Sequence, residues 1–169
     1  GVIAGQGFAK EVFMTLDRDI AYREHKEDGE AVSPGDVIAA VEGATRAILT
    51  AERVALNILQ RLSGIATLTK VFVDAASGTK ARILDTRKTT PGMRAMEKYA
   101  VTMGGGTNHR SNLTEMALIK ENHVAVAGSI RLAVERVRAR SSVPVEVEVR
   151  TMEELKQALE AKVERIMLD

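Results

Sequence analysis

The sequence contains no cysteine, and this absence removes several kinds of chemistry at once. Without thiols the chain can form no disulfide, no cysteine nucleophile and no zinc–thiolate site. Tryptophan is also absent and aromatic residues make up only 3% of the chain, so the core must consist mainly of Val, Ile, Leu, Ala and Met. Neither an apolar run of membrane-spanning length nor a signal peptide is visible, so we expect a cytoplasmic protein without a membrane partner.

The chain also has no excess of charge of either sign. Lys and Arg number 24 against 23 Asp and Glu, which gives a net charge of +1. Because binding to a phosphate backbone usually requires a basic stripe, we do not expect a nucleic-acid partner. The composition, 45% hydrophobic and 28% charged, is typical of a globular protein, and 169 residues allow one domain or a small domain plus part of another.

Two segments with different patterns precede residue 81. Residues 1–49 predict short strands joined by turns, and residues 1–50 form part of an N-terminal α/β domain. Within them Gly29–Gly43 is similar to the hammerhead of a biotinyl or lipoyl carrier domain, but it lacks the Met-Lys-Met-like hairpin tip that carries the modified lysine. Apolar residues at helical spacing then predict one long helix over 51–76, with Thr50 as its N-cap, in a linking or interface segment that covers 51–80.

From residue 81 onward apolar strands alternate with amphipathic helices. We predict strands over 82–85, 116–120, 143–149 and 166–168. We predict a helix over 91–103 with Thr90 as its cap. A second helix follows an N-cap at Ser129, and a third follows a capping box formed by Thr151 and Glu154. This alternation favours a parallel sheet, either doubly wound or a (β/α) barrel. On the barrel reading 81–169 would be the N-terminal half of a (β/α) barrel-like domain truncated after its fourth strand, because four strands cannot close a barrel of about 250 residues.

Charged residues follow each of these strands. The strand ends carry Asp85, Arg87 and Lys88; Lys120 and Glu121; Glu148; and Asp169. Any one of these charges is more commonly a solvated loop residue, and Glu148 could be the outward half of an alternating strand. Since active sites of parallel α/β folds lie beyond the carboxyl ends of the strands, the repetition predicts that these charges line one cavity.

The signs of these charges indicate what the cavity binds. A dense cationic set suits carboxylates and phosphates. Its members are Arg87, Lys88, His109, Arg110 and Lys120. Glu148 and Asp169 would be close on neighbouring strands, and two carboxylates beside a phosphate site indicate Mg²⁺. Arg53, near the start of the predicted long helix, is unfavourable with the helix dipole; it is either tolerated by solvent or kept for a ligand.

Six stretches, in order and at closely similar spacing, resemble the quinolinate phosphoribosyltransferase family. They are Glu52-Arg53-Val54-Ala55-Leu56-Asn57, Thr86-Arg87-Lys88-Thr89-Thr90-Pro91-Gly92, Asn108-His109-Arg110, Lys120-Glu121-Asn122-His123, Glu146-Val147-Glu148 and Met167-Leu168-Asp169. The resemblance implies an N-terminal α/β domain on an open, barrel-like α/β domain, in a homodimer or higher homo-oligomer whose sites form between subunits. It also implies a pentosyltransferase of NAD biosynthesis. In this reaction quinolinate and phosphoribosyl pyrophosphate give nicotinate mononucleotide, pyrophosphate and CO₂, with Mg²⁺ as cofactor.

The resemblance implies roles for individual residues. Arg53 matches an arginine contributed to the partner's site. Arg87, His109 and Arg110 match residues that bind the quinolinate carboxylates. Lys88 and Lys120 match lysines facing the two substrates, and Glu148 and Asp169 match acids on the phosphoribosyl pyrophosphate and metal side. The implied catalytic residues are therefore Lys88, Lys120, Glu148 and Asp169.

Alternatives remain open at this point. Family members continue for several more strands, which supply a Gly-rich site for the 5′-phosphate. No such Gly-rich site precedes Asp169, so this chain by itself is expected to lack full activity. A related phosphoribosyltransferase, either nicotinate-specific or a molybdenum-transport-associated homologue, would share much of the pattern, although the crowded cations favour a dicarboxylate. A non-catalytic module that dimerises through the long helix is the alternative of a different class.

Overall fold

The computed structural model describes residues 1–169 and has the predicted mixed α/β character. The helices are α1 (Gln6–Leu16), α2 (Thr45–Ala75), α3 (Arg94–Met103), α4 (Glu121–Ala127), α5 (Ile130–Arg138) and α6 (Met152–Glu160). The strands are β1 (Ala21–Glu24), β2 (Ala39–Glu42), β3 (Ala117–Ile119), β4 (Val145–Val149) and β5 (Arg165–Leu168). The chain divides into two compact units, residues 1–109 and residues 110–169. No helix is both long enough and apolar enough to cross a membrane.

The first unit is built around the 31-residue helix α2. Its buried residues recur three or four positions apart, as in Ala55, Leu59 and Leu62, and so form one apolar stripe along the helix. Helix α1 packs against this stripe through Phe13, while β1 and β2 form an antiparallel pair beside it. Gly5 is the N-cap residue before α1, with φ of 105°, and lies so close to Leu62 that a Cβ atom there would be 2.8 Å from the Leu62 side chain.

Two predictions for the N-terminal half were wrong. Residues 1–49 are not only strands and turns, because α1 occupies Gln6–Leu16 and places Ala9 and Phe13 on one buried face. Helix α2 begins at Thr45 instead of 51, and Thr50 is inside it, where its hydroxyl donates to the Arg46 carbonyl at 2.7 Å. Arg53 therefore lies two turns into the helix. The dipole acts mainly on the first turn, so its placement carries no electrostatic penalty.

Two predictions for residues 81–109 were also wrong. Instead of a strand over 82–85, Leu84 makes a single parallel bridge to Thr107. Helix α3 begins at Arg94 with Met93 in the cap position, and Thr90 does not cap it. Gly92 has φ of 78°, a left-handed conformation that a helix cannot contain, so the helix starts only after it.

The second unit is a three-stranded parallel sheet in the order β3-β4-β5, covered by helices. Parallel pairing is thus confirmed for three of the four predicted strands. Val145, Val147 and Val149 alternate along β4 and pack against residues of α5 and α6, which places Glu146 and Glu148 on the opposite face of the sheet. Helix α4, between β3 and α5, was not predicted.

The predicted helix caps of the second unit follow short-range hydrogen bonds. The Ser129 side chain accepts from the Leu132 N–H at 3.2 Å, as predicted. Thr151 likewise accepts from the Glu154 N–H at 3.1 Å, but the Glu154 carboxylate accepts from the N–H of Arg150 instead of that of Thr151. Only half of the predicted capping box is therefore present.

Candidate functional site

In the first unit, a buried ion pair joins the segment that starts at Asp85 to His109. The Asp85 and Lys98 side chains are only 7% and 4% exposed. The Lys98 ammonium donates to Asp85 Oδ1 and also to the His109 carbonyl oxygen at 2.9 Å. The His109 N–H donates to the same Asp85 Oδ1 at 2.8 Å. His109 is therefore held through both of its backbone polar groups.

Arg87 and Lys88 follow Asp85 in a loop whose backbone is fixed by side chains. The Arg94 guanidinium donates to the Arg87 carbonyl at 3.3 Å and to the Thr89 hydroxyl at 3.2 Å. The Lys88 N–H donates to the Thr86 hydroxyl at 3.1 Å. The Arg87 Nε is buried and has no hydrogen-bond partner in the chain. A buried donor without an acceptor costs about 1–3 kcal/mol, so this atom favours an anionic ligand.

The same loop is tied to α2 through Glu97. Arg61 of α2 donates to the Glu97 carboxylate and to the Thr90 hydroxyl, while the Thr90 N–H donates to Glu97 at 3.2 Å. Burial raises the pKa of Glu97, but the hydrogen bonds from Arg61 and Thr90 outweigh it and lower that pKa from its usual 4.5. Glu97 is therefore a carboxylate at neutral pH and keeps the loop attached.

Sequence reasoning did not find Arg61, Arg94, Glu97 or Lys98. Lys98 lies 13 positions from Asp85, and Arg61 lies 36 positions from Glu97. No local pattern in the sequence reports pairs this far apart. The one available signal was the adjacent opposite charges Glu97-Lys98 on the buried side of a short helix, where charged residues are uncommon unless paired.

In the second unit, three predicted residues meet at the carboxyl ends of the parallel strands. Lys120 follows β3, Glu148 is in β4, and Asp169 follows β5. The Lys120 ammonium donates to Glu148 Oε2 at 2.8 Å, and the Asp169 N–H extends the sheet by donating to the Val149 carbonyl at 3.1 Å. The hydrogen bond with Glu148 raises the pKa of Lys120, and the charges of Glu148, Glu121 and Asp169 add to this effect against partial burial.

The remaining predicted residues have separate surroundings. Arg110 donates to the Met116 carbonyl at 2.8 Å, on the segment that leads into β3. His123 is structural: its Nδ1 accepts the Lys120 N–H at 3.0 Å and fixes the backbone at the β3–α4 junction. Arg53 is exposed on α2 between the buried Ala51 and Ala55, and it makes no hydrogen bond or ion pair with another predicted site residue.

The donor set at the carboxyl ends suits a hard cation in part. Glu148 and Asp169 provide carboxylate oxygens, which Mg²⁺ prefers, but no group of three or more His, Cys, Asp or Glu residues is placed to hold a metal ion. One Glu148 oxygen is already bonded to Lys120. These two carboxylates therefore fit a Mg²⁺ ion only if most of its ligands come from water or from phosphate oxygens of a bound molecule.

Sequence models of a single family match nearly the whole chain. Residues 1–63 match the model described as quinolinate phosphoribosyl transferase, N-terminal domain. Residues 65–169 match the model described as quinolinate phosphoribosyl transferase, C-terminal domain.

Curated relatives and solved structures agree with these matches. The chain is 46% identical to a probable nicotinate-nucleotide pyrophosphorylase [carboxylating] of Bacillus subtilis, and the alignment covers 100% of this chain and 59% of the relative. It is 49% identical to the nicotinate-nucleotide pyrophosphorylase [carboxylating] of Mycobacterium leprae, over 100% of this chain and 61% of that protein. NadC from Streptococcus pyogenes superimposes with a TM-score of 0.94 at 42% identity, over 100% of this chain and 61% of that one. The nicotinate-nucleotide pyrophosphorylase from Francisella tularensis gives a TM-score of 0.95 at 46% identity, over 99% of this chain and 60% of that one.

The chain thus spans about 60% of the length of these relatives and has the same fold over that part. Both domain models of one family match it, and together they account for residues 1–63 and 65–169. The chain belongs to the quinolinate phosphoribosyl transferase family.

Proposed function

We propose that the protein is a decarboxylating phosphoribosyltransferase of NAD biosynthesis. It would convert quinolinate and phosphoribosyl pyrophosphate to nicotinate mononucleotide, pyrophosphate and CO₂. The observation that carries this proposal is the buried Arg87 Nε without a protein acceptor, in a loop fixed beside His109. Such a donor suits a carboxylate ligand, and the description of the family, quinolinate phosphoribosyl transferase, indicates which carboxylate to test first.

Quinolinate would be held by the cationic residues. In the first unit Arg87, Lys88 and His109 would bind its carboxylates, and the family resemblance implies the same role for Arg110. Their role is to fix the ring so that its nitrogen can approach the ribose carbon that carries pyrophosphate. After the carbon–nitrogen bond forms and pyrophosphate leaves, one carboxylate departs as CO₂. The positively charged pyridinium ring stabilises the electron pair left on its carbon, and a proton then takes the place of the CO₂ on that carbon. No protein nucleophile is needed.

Phosphoribosyl pyrophosphate would interact with Lys120, Glu148 and Asp169. Displacement at the ribose carbon passes through a cation-like sugar, which the carboxylates of Glu148 and Asp169 can stabilise. Lys120, which its contact with Glu148 keeps protonated, supplies a positive charge for a phosphate or carboxylate. Glu148 and Asp169, together with the phosphates of the substrate, would hold Mg²⁺. The ion would supply positive charge that neutralises the leaving pyrophosphate.

The proposal also covers the assembly. Arg53 is exposed on α2, and Val54 next to it is 52% exposed, so this side of the helix is available to a second subunit. We propose a homodimer or higher homo-oligomer in which Arg53 reaches the partner's site. The cytoplasmic location expected from the sequence stays a prediction.

The test uses the full-length protein with carboxyl-labelled quinolinate. We expect release of labelled CO₂ that depends on phosphoribosyl pyrophosphate and Mg²⁺. Arg87→Ala should weaken quinolinate binding by about ten- to a hundredfold, since a hydrogen bond between charged groups contributes about 1.5–3 kcal/mol. Arg131→Ala is the control, because Arg131 is 73% exposed and pairs only with Glu135 on α5.

Three results would refute the proposal in different ways. Turnover of nicotinate in place of quinolinate would indicate a related phosphoribosyltransferase. Absence of calorimetric heat with quinolinate, together with no effect of Arg87→Ala, would favour the non-catalytic dimerisation module. An acyl or biotinyl adduct on a lysine, detected by mass spectrometry, would instead indicate a carrier domain.

A further inference from the structure

The Asp85–Lys98 pair forms a closed hydrogen-bonded group with the segment that contains His109. Asp85 Oδ1 accepts from both the Lys98 ammonium and the His109 N–H, and Lys98 donates to the His109 carbonyl at 2.9 Å. Asn108, with its amide nitrogen turned toward these acceptors, donates to Asp85 Oδ2 at 2.6 Å and to the Lys98 carbonyl at 2.9 Å. Every polar atom of the Asp85 carboxylate is therefore engaged.

A buried ion pair is rarely the most stable way to fill a core. Removing two charges from water is costly, and apolar residues of similar volume are often equally stable or more so. With side-chain exposures of 4% and 7%, Lys98 and Asp85 carry that cost fully. What apolar residues could not do is bond both backbone groups of His109, and this geometric function is specific to the pair.

The pair also connects two loops that carry different anion-binding residues. Asp85 lies two positions before Arg87, and its carboxylate contacts His109 directly. The Asp85 N–H donates to the Thr107 carbonyl at 3.3 Å, so backbone and side chain hold the two loops in one register. A change at this point would alter the distance between the Arg87 and His109 side chains.

We propose that Asp85 and Lys98 are positioning residues that set the spacing of Arg87 and His109 and so select a ligand with two adjacent carboxylates. This inference rests on the proposed function, because it takes quinolinate as the ligand. Neither residue needs to touch the substrate. Since a misplacement of about 1 Å can cost about a hundredfold in rate, a small shift of the His109 loop is enough for the effect.

The experiment compares Lys98→Met with wild type in the full-length protein. We expect the Kd and KM of quinolinate to rise about tenfold or more, the KM of phosphoribosyl pyrophosphate to change less than about twofold, and the preference for quinolinate over the monocarboxylate nicotinate to fall. In the double variant Asp85→Asn/Lys98→Met, no unpaired charge is buried, so the melting temperature should recover. Quinolinate affinity should stay low because the His109 carbonyl still lacks its donor.

Two controls separate positioning from general destabilisation. Lys70→Met makes the same substitution in an exposed pair with Asp74, where the side chains are 49% and 60% exposed, and it should change nothing. Leu59→Ala removes a buried side chain of the α1–α2 core and should lower the melting temperature without selective loss of quinolinate affinity. The proposal would be overturned if Leu59→Ala caused the same selective loss of quinolinate affinity as Lys98→Met. It would also be overturned if quinolinate affinity were unchanged in both Lys98→Met and Asp85→Asn/Lys98→Met.

Hydrogen exchange distinguishes this failure from failure of the proposed function. In Lys98→Met the peptide that covers 104–112 should exchange faster than in Lys70→Met, whatever the ligand is. If this peptide exchanged faster in Lys98→Met but wild type did not turn over quinolinate, the proposed function and the choice of ligand would be refuted. The contact that positions the His109 loop would still be supported. Unchanged exchange would refute the positioning role itself.

Discussion

Gly104 is the position where one added methyl group should have the clearest effect on the fold. It follows α3 with φ of −78° and ψ of 2°, which is ordinary backbone that alanine also adopts. A Cβ atom there would lie 2.7 Å from the Thr69 Cβ and closer still to the Ala66 carbonyl oxygen, both in α2. The obstacle to Gly104→Ala is therefore packing against α2 and not conformation.

The cost can be approximated from these contacts. Carbon atoms in contact are normally about 3.5–4.0 Å apart, so α3 and α2 must separate by about 1 Å to accept the methyl group. The backbone of a long helix cannot move aside as the end of a side chain can, and such overpacking costs about 1–3 kcal/mol. For a chain of this size each kcal/mol shifts the melting temperature by about 2–4 °C, so we expect a decrease of about 2–12 °C.

Urea unfolding followed by circular dichroism measures the loss in free energy of unfolding, with Gly64→Ala as the matched control. Gly64 is within α2, and apart from its chain neighbours and the nearby backbone of its own helix no atom lies within 4 Å of the position of its added Cβ. Alanine there should stabilise the chain by about 0.5–1 kcal/mol, because glycine is unfavourable inside a helix. If Gly104→Ala were as stable as wild type while Gly64→Ala showed its expected gain, the close approach of α3 to α2 would be refuted.

Two further predictions concern pH. The chain has only two tyrosines, and burial, helped by nearby carboxylates, raises the pKa of both Tyr22 and Tyr99 to about 12. Their contribution to stability is thus present below pH 10 and is lost as pH rises towards 12. Ultraviolet titration should show no tyrosinate near pH 10. Ionisation of the tyrosines near pH 10 while the circular dichroism stays intact would contradict their burial. The lowered pKa of Glu97 contributes stability above pH 4.5 that is lost as pH falls further. Glu97→Gln should therefore flatten the acid dependence of the urea midpoint, and an unchanged slope would exclude this role.

The features that sequence analysis predicted correctly depend on short-range patterns. Ser129 and Thr151 cap their helices through the N–H three residues later, so the donor and acceptor lie within one turn. The apolar strands of the second unit alternate with amphipathic helices, which indicates parallel pairing. Lys120, Glu148 and Asp169 meet because each lies at the carboxyl end of one of three neighbouring strands.

The errors arose where local signals conflicted with packing. Glycine and turn residues dominated the interpretation of residues 1–50 and concealed α1, whose stability comes from its contact with α2. Thr50 matched the composition of a helix cap, yet α2 starts five positions earlier, at Thr45, without any side-chain cap. The stretch over 82–85, with the apolar Ile83 and Leu84 at its centre, matched a short strand, but Leu84 has a single bridge partner and does not form a ladder.

The sequence by itself determined the fold class, the family pattern and the residues at the strand ends, because periodicity, caps and ordered stretches are local properties. Only the tertiary structure decided how those residues are held. It paired Asp85 with Lys98, joined Glu97 to Arg61 and left the Arg87 Nε buried without an acceptor. The two ion pairs join residues that lie far apart in the chain. Their strength, and the cost of the unpaired Arg87 Nε, depend on the exclusion of water, which no local pattern reports.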